Sequence, residues 1–107
     1  MAHNNNKLTN NFNSELYFVG SYDDGFGMYA TLIKDSNGFR RVKNDDELKA
    51  ILKTKGMSVT EFLNVQCDCR DAILASSENG ETNLMCKMDG RGLWNVATKA
   101  ILEIAGL

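Results

Sequence analysis

The sequence predicts a small α+β domain with a mainly antiparallel sheet, and three observations support this prediction. Residues 15–43 alternate strand-forming segments with turn residues, whereas residues 44–77 have the apolar spacing and the caps of helices. A chain of 107 residues that is 43% hydrophobic is large enough for one core. We therefore expect a two-layer domain with three to four strands and three helices, in the order β-β-β-α-α-β-α.

Residues 1–13 are predicted to be a disordered leader that precedes a single domain at residues 14–107. The leader contains six asparagines, and Leu8 and Phe12 are its only sizeable apolar side chains after Met1. Such a segment buries too little apolar surface to offset its conformational entropy. It also lacks the apolar core of a secretory signal, so we do not expect secretion.

Three strands are predicted in the first half of the domain. The first, at residues 15–21, is dense in aromatic and β-branched side chains. The second and third are expected at residues 28–34 and 39–43. A loop at residues 22–27 joins the first two strands, and Asn-Gly at residues 37–38 is typical of a tight hairpin turn between the second and third.

Two helices are predicted next, because each has a clear start signal. Asn44 caps the first helix, its first turn is acidic, and Gly56 ends it. Ser58 and Glu61 have the spacing of a capping box. The apolar spacing that follows predicts one continuous second helix to about Ser77.

The C-terminal part is predicted to contain a fourth strand at residues 82–88 and a last helix at residues 93–105. The polar residues of that helix form one narrow stripe, and the rest of its surface is apolar. A helix this apolar is deeply buried or covers a partner. We therefore predict a homodimer through residues 93–105, with Trp94 as its anchor. The alternative is that Trp94 fills the core.

The composition excludes several chemistries from the predicted domain. The only histidine, His3, lies in the leader, which removes Ser-His and Cys-His nucleophile pairs and most zinc sites. The cysteines Cys67, Cys69 and Cys86 are odd in number and poorly spaced for a metal, so we expect three reduced, metal-free thiols. The sequence predicts no catalytic residue, no metal and no cofactor, and we expect the protein not to be an enzyme.

Compartment and charge limit the partners. No segment approaches the roughly 18 apolar residues of a membrane span, so no membrane partner is expected. Reduced thiols are typical of the cytoplasm, which is the predicted location. The net charge is −2 with both signs mixed along the chain. A nucleic-acid binder usually has a basic stripe, so nucleic acid is only the alternative partner.

Part of the second predicted helix resembles the helix-turn-helix of repressor-type proteins. Residues 60–63 match the first helix of that motif, Cys67 falls at its turn position, and residues 70–73 open the recognition helix. The resemblance implies a nucleic-acid-binding regulator that uses residues 58–77 and Arg70. One uninterrupted amphipathic helix explains the same residues, and it is the structure we predict.

A second basic segment would serve the same alternative function. It is the predicted third strand, whose basic residues are Arg40, Arg41 and Lys43. Binding that falls steeply with salt would distinguish nucleic acid from a protein partner.

The predicted function is non-catalytic binding of a protein partner, as an adaptor, inhibitor or regulator. The candidate site is the loop that carries Tyr22, Asp23, Asp24 and Phe26. Exposed aromatic side chains carry much of the energy of protein recognition, and the aspartates would steer a basic partner. The alternative is that Tyr22 or Phe26 folds back to cover the open end of the core.

Overall fold

The computed structural model describes residues 14–89 and 93–107, which form five strands and three helices. The strands are β1 (Glu15–Asp23), β2 (Phe26–Asp35), β3 (Gly38–Arg41), β4 (Asn83–Lys87) and β5 (Leu93–Val96). The helices are α1 (Asp45–Thr54), α2 (Val59–Ser77) and α3 (Lys99–Ala105). The α+β class, the antiparallel sheet and the three helices are confirmed. The disorder predicted for residues 1–13 lies outside the described residues.

The strands form one sheet in the order β3-β2-β1-β4-β5, and every neighbouring pair is antiparallel. β1 is central, with β2 on one side and β4 on the other. Turns of two residues join β1 to β2 and β2 to β3, so the sequence brings these strands together as successive hairpins. The longest ladder runs from Glu15–Lys34 to Asp23–Phe26 between β1 and β2.

The two faces of the sheet carry separate cores, because successive residues of a strand point to opposite faces. Helices α1 and α2 cover the first face. Its buried residues are Leu16, Phe18, Ile33, Ile51, Leu52, Phe62, Val65, Cys69, Ile73, Leu84, Cys86 and Met88. The short helix α3 covers part of the second face as a partial third layer. Its buried residues are Val19, Ala30, Leu32, Met85, Ala97 and Ala105.

The second helix is continuous, as predicted. Ser58 accepts a hydrogen bond from the backbone N–H of Glu61, and the Glu61 carboxylate accepts one from Ser58 N–H. The helix then runs through Cys67 to Ser77 without a turn. The helix-turn-helix arrangement needs a turn at Cys67, so this resemblance does not extend to the structure.

The prediction of a single helix over residues 93–105 is wrong. Leu93–Val96 is the edge strand β5, paired with β4, and the helix begins only after Thr98, whose hydroxyl accepts from Ile101 N–H. β4 pairs with β1 along one edge only. The apolar segment pairs with the other edge of β4, where it satisfies the backbone N–H and C=O groups that do not face β1. Trp94 lies opposite Cys86 in this ladder.

The prediction of three reduced thiols is also wrong for this structure. Cys69 on α2 and Cys86 on β4 form a disulfide, with their Cα atoms 5.7 Å apart. Both residues belong to the core between α2 and the sheet, where they face each other. An odd count allows one pair and one free thiol, and the free one is the exposed Cys67.

Within the part of the chain that the structure describes, no helix is long and apolar enough to cross a membrane.

Candidate functional site

The predicted partner-binding residues lie at the tip of the β1–β2 hairpin. Asp24 and Gly25 form its two-residue turn, with φ of 49° and 85°. Both positive values fit the tight turns that suit the right-handed twist of a hairpin. Asp23 pairs with Phe26 directly beside the turn, and Tyr22 pairs with Gly27. The sequence therefore predicted the location of the tip correctly, and the strands reach further into it than expected.

Phe26 is exposed to solvent and does not fold back onto the core. Its side chain is 77% exposed, and Met28, two residues further along β2, is 51% exposed. Alternation along the strand places both on the α3 face, in line with the buried Ala30 and Leu32. Helix α3 has only seven residues and covers the buried pair but leaves the outer pair open.

A shallow cavity of about 340 Å³ lies beside these two side chains. Its lining residues are Ser21, Asp23, Asp24, Phe26, Met28 and Leu107. An aromatic ring and a thioether thus stand next to two exposed carboxylates. We call Asp23, Asp24, Phe26 and Met28 the tip patch. Sequence reasoning missed Met28, although its spacing of two from Phe26 on a strand was a readable signal.

Tyr22 lies on the opposite face from the tip patch and is half-buried. Its ring packs edge-on against Tyr29, with centroids 5.9 Å apart, and the two hydroxyl groups share a hydrogen bond. Burial, and then this hydrogen bond, raise the pKa of Tyr22 to about 12. A Cβ at Gly27 would lie 2.8 Å from the Tyr22 ring, so a larger residue there would force the ring to move. Tyr22 shapes the hairpin from the core side, and its predicted contact with a partner stays a prediction.

Of the four basic residues considered for nucleic acid, Lys43 is exposed and lies beyond the end of β3, not on the strand as predicted, and the other three separate into two groups. Arg40 is engaged within the domain, with Nη1 2.8 Å from Glu47 Oε1 and Nε 3.5 Å from Asp35 Oδ2. Its hydrogen bond lowers the pKa of Glu47, which also accepts from the backbone N–H of Lys43. Arg40 therefore anchors β3 to the start of α1.

Arg41 and Arg70 form the second group, because they line the same cleft of about 430 Å³. The other lining residues are Phe18, Tyr29, Ala30, Thr31, Gln66 and Cys67. Gln66 on α2 donates from Nε2 to Thr31 Oγ1 on β2 at 3.4 Å. We call this space the edge cleft. No local pattern in the sequence indicates this cleft, since Arg41 and Arg70 line it together only when α2 packs on the sheet.

The structure also places Trp94 and the side chains that could be considered as metal ligands. Trp94 is placed on β5 and not on a helix, and its role as an interface anchor stays a prediction. Among residues 14–89 and 93–107, no group of three or more His, Cys, Asp or Glu side chains is arranged to hold a metal ion.

Comparison with protein-family models, with curated proteins and with solved structures finds no match to this chain.

Proposed function

We propose that this chain is a non-catalytic interaction domain, an adaptor, inhibitor or regulator, that binds a protein partner through the tip patch. The observation that carries the proposal is the pair of exposed side chains Phe26 and Met28 at the end of a hairpin that is paired up to its turn. Aromatic residues and methionine are enriched in protein interfaces. The hairpin holds both residues at fixed spacing, so little order has to be gained on binding.

The charges of the tip patch indicate the kind of partner. Asp23 and Asp24 are exposed beside the apolar pair. Carboxylates at the rim of an interface accelerate association with a basic partner surface and disfavour association with an acidic partner surface. The expected partner therefore presents an apolar pocket with lysine or arginine at its rim.

The test compares capture of host proteins by the wild-type chain and by the double variant Phe26→Ala, Met28→Ala. We expect the variant to lose a discrete partner, because the apolar anchors are gone. Both side chains are exposed, so the free energy of unfolding should change by less than about 1 kcal/mol.

The matched control removes exposed apolar surface elsewhere. Leu63 and Leu74 are exposed on α2, and Leu63→Ala, Leu74→Ala should retain the partner. Retention of the partner by the tip variant, or its loss from both variants alike, would contradict the proposal.

We also propose that the chain self-associates through residues 93–105, which form β5 and α3 and not the single helix predicted from the sequence. β5 is an edge strand of the sheet, and its Val96 is 59% exposed, while Ile104 of α3 is 41% exposed. An edge strand with an exposed apolar side chain can pair with another chain. Light scattering should give a dimer mass at micromolar concentration, and Val96→Lys should return it to the monomer. A monomer mass for the wild type would rule the dimer out.

For the location, we retain the cytoplasm as the proposal. The Cys69–Cys86 bond is typical of oxidising compartments. However, both residues are fully buried, which limits the access that thiol exchange requires. Fractionation of host cells should place the protein in the cytoplasm, and recovery from an oxidising compartment alone would contradict this.

A further inference from the structure

We propose that the outer edge of β2 binds an extended acidic segment of the partner protein as an added strand, with Arg41 and Arg70 holding its carboxylates. The inference rests on the proposed function, since it takes the ligand to be a protein. It adds a second contact surface and a defined ligand chemistry to the tip patch.

The first observation is that β2 is longer than the strand beside it. β3 pairs only with Leu32–Asp35, whereas β2 begins at Phe26. The stretch from Phe26 to Thr31 therefore has β1 on one side and no strand on the other within the described residues. Such an edge presents unpaired N–H and C=O groups to any extended chain.

The hairpin turns indicate which residues face outward. Residues that flank a two-residue turn bond to each other, and this bonding then alternates along an antiparallel ladder. Asp35 flanks the turn to β3, so Asp35 and Ile33 direct their backbone groups to β3. The same alternation directs the groups of Thr31, Tyr29 and Gly27 to the free side. Three successive outward positions are enough for a short added strand.

The second observation is the charge of the edge cleft beside these groups. Arg41, at the end of β3, and Arg70, on α2, approach the edge from two different elements. Both side chains are exposed, and neither has an ion-pair partner among the described residues, unlike Arg40. Guanidinium groups bind carboxylates through charge-assisted, often bidentate, hydrogen bonds. The edge cleft therefore favours an extended chain with acidic side chains.

Charge also argues against other occupants. A second copy paired edge to edge would bring the same arginines towards each other, which is unfavourable. Residues 1–13 contain Lys7 and no Asp or Glu, so the chain's own leader lacks the complementary charge. In the edge cleft, nucleic acid would meet only the two cations Arg41 and Arg70, beside neutral polar groups. The row of outward backbone N–H and C=O groups on β2 instead matches the backbone of an extended peptide.

The test selects binders from a random dodecapeptide phage library against the full-length wild-type chain. We expect enriched sequences rich in β-branched residues, with Asp or Glu at a fixed spacing. A synthetic peptide of the enriched sequence is then the probe for binding to purified variants. Arg41→Gln and Arg70→Gln should each weaken its binding at least about tenfold, because each removes a charge-assisted pair.

Two further variants separate charge from strand addition. Lys53→Gln removes an exposed positive charge on α1 and should leave binding unchanged. Thr31→Pro removes an outward N–H and should abolish binding, while the inner ladder to β1 stays intact. Thermal unfolding checks that each variant is folded, and the arginine variants decide the question if Thr31→Pro does not fold.

Several results would overturn the inference. One is that the library yields no enriched acidic sequences. Another is that the arginine variants bind the peptide as tightly as the wild type does. A third is that a labelled 20-mer oligothymidylate binds at the same arginines more tightly than the peptide, in a salt-sensitive way. The tip variant Phe26→Ala, Met28→Ala separates the two proposals. If a host partner depends on the tip but not on Arg41 and Arg70, the edge inference fails and the proposed function stands. If the peptide binds through Arg41 and Arg70 but no host partner depends on Phe26, the proposed binding through the tip patch fails and the edge inference stands.

Discussion

At the scale of single residues, the hairpin depends on close packing between Tyr22, Tyr29 and two glycines. Gly27 leaves room for the Tyr22 ring, and a Cβ at Gly20 would lie 2.9 Å from Ile73 Cγ2 and 3.2 Å from the Tyr29 ring. Phe18 stacks on Tyr29 with centroids 5.3 Å apart. The aromatic residues on this face thus support the hairpin, while Phe26 on the other face stays exposed to solvent.

The Tyr22 hydroxyl group should ionise unusually late. Its pKa is raised to about 12, first by burial and then by the hydrogen bond to Tyr29. A raised pKa favours the protonated form in the folded state. Its contribution to stability is therefore complete below the ordinary pKa near about 10 and is lost as pH rises through about 12.

An ultraviolet titration of tyrosinate checks this expectation. The wild-type protein should show an absorbance step near pH 12 that Tyr22→Phe removes. Tyr17→Phe is the control, because Tyr17 lies on the other face of β1, and its removal should leave that step in place. Identical titrations of the wild type and Tyr22→Phe would contradict the packing described here.

Residue types alone predicted part of the candidate site. Two aromatics and two acids around a glycine indicated a recognition tip, and the exposure of Phe26 agrees with that expectation. The opposite orientation of Tyr22 follows from strand alternation, which could be applied only once β1 and β2 were known to extend into the tip. The cysteine count was misleading, because it says nothing about which side chains face each other.

At the scale of elements, the disulfide joins α2 to β4 across the core. The two cysteines are 17 positions apart in the sequence, and the segment between them contains the end of α2 and the turn into β4. A cross-link over a loop of this length restricts the unfolded chain and typically stabilises a domain by about 3 kcal/mol.

Replacing Cys69 and Cys86 together by Ser should therefore lower the free energy of unfolding by about 2–4 kcal/mol. Urea denaturation measures the loss, and a reductant should destabilise the wild type in the same direction but not the variant. Cys67→Ser is the matched control, because this thiol is free and exposed, and it should have little effect. Equal stability of the double variant and the Cys67→Ser control would show that the bond does not stabilise the protein in solution.

The capped helices and the hairpins were predictable, whereas the last segment was not. Asn44 and Ser58 have their predicted capping hydrogen bonds, and local spacing was enough to find both helices. Residues 93–105 form an apolar run, and such a run does not distinguish a buried helix from a strand. The deciding factor was the free edge of β4, which is a feature of the sheet and not of the segment.

At the scale of the whole molecule, both candidate surfaces follow from unequal element lengths. Helix α3 is too short to cover Met28 and Phe26, and β3 is too short to pair with the first half of β2. The tip patch and the edge cleft therefore lie on the same hairpin, one at its end and one along its side. The sequence predicted the hairpin but not the edge cleft, because only tertiary packing brings Arg41 and Arg70 to the same cleft.

The most direct test of the central claim is photo-crosslinking from the tip in host extract. A benzoylphenylalanine residue in place of Phe26 should form a discrete adduct with one protein, because this side chain is expected to enter the partner's pocket. The same photoreactive residue in place of Leu63, which is also exposed, should not form that adduct. No adduct from position 26, or the same adduct from both positions, would contradict the account.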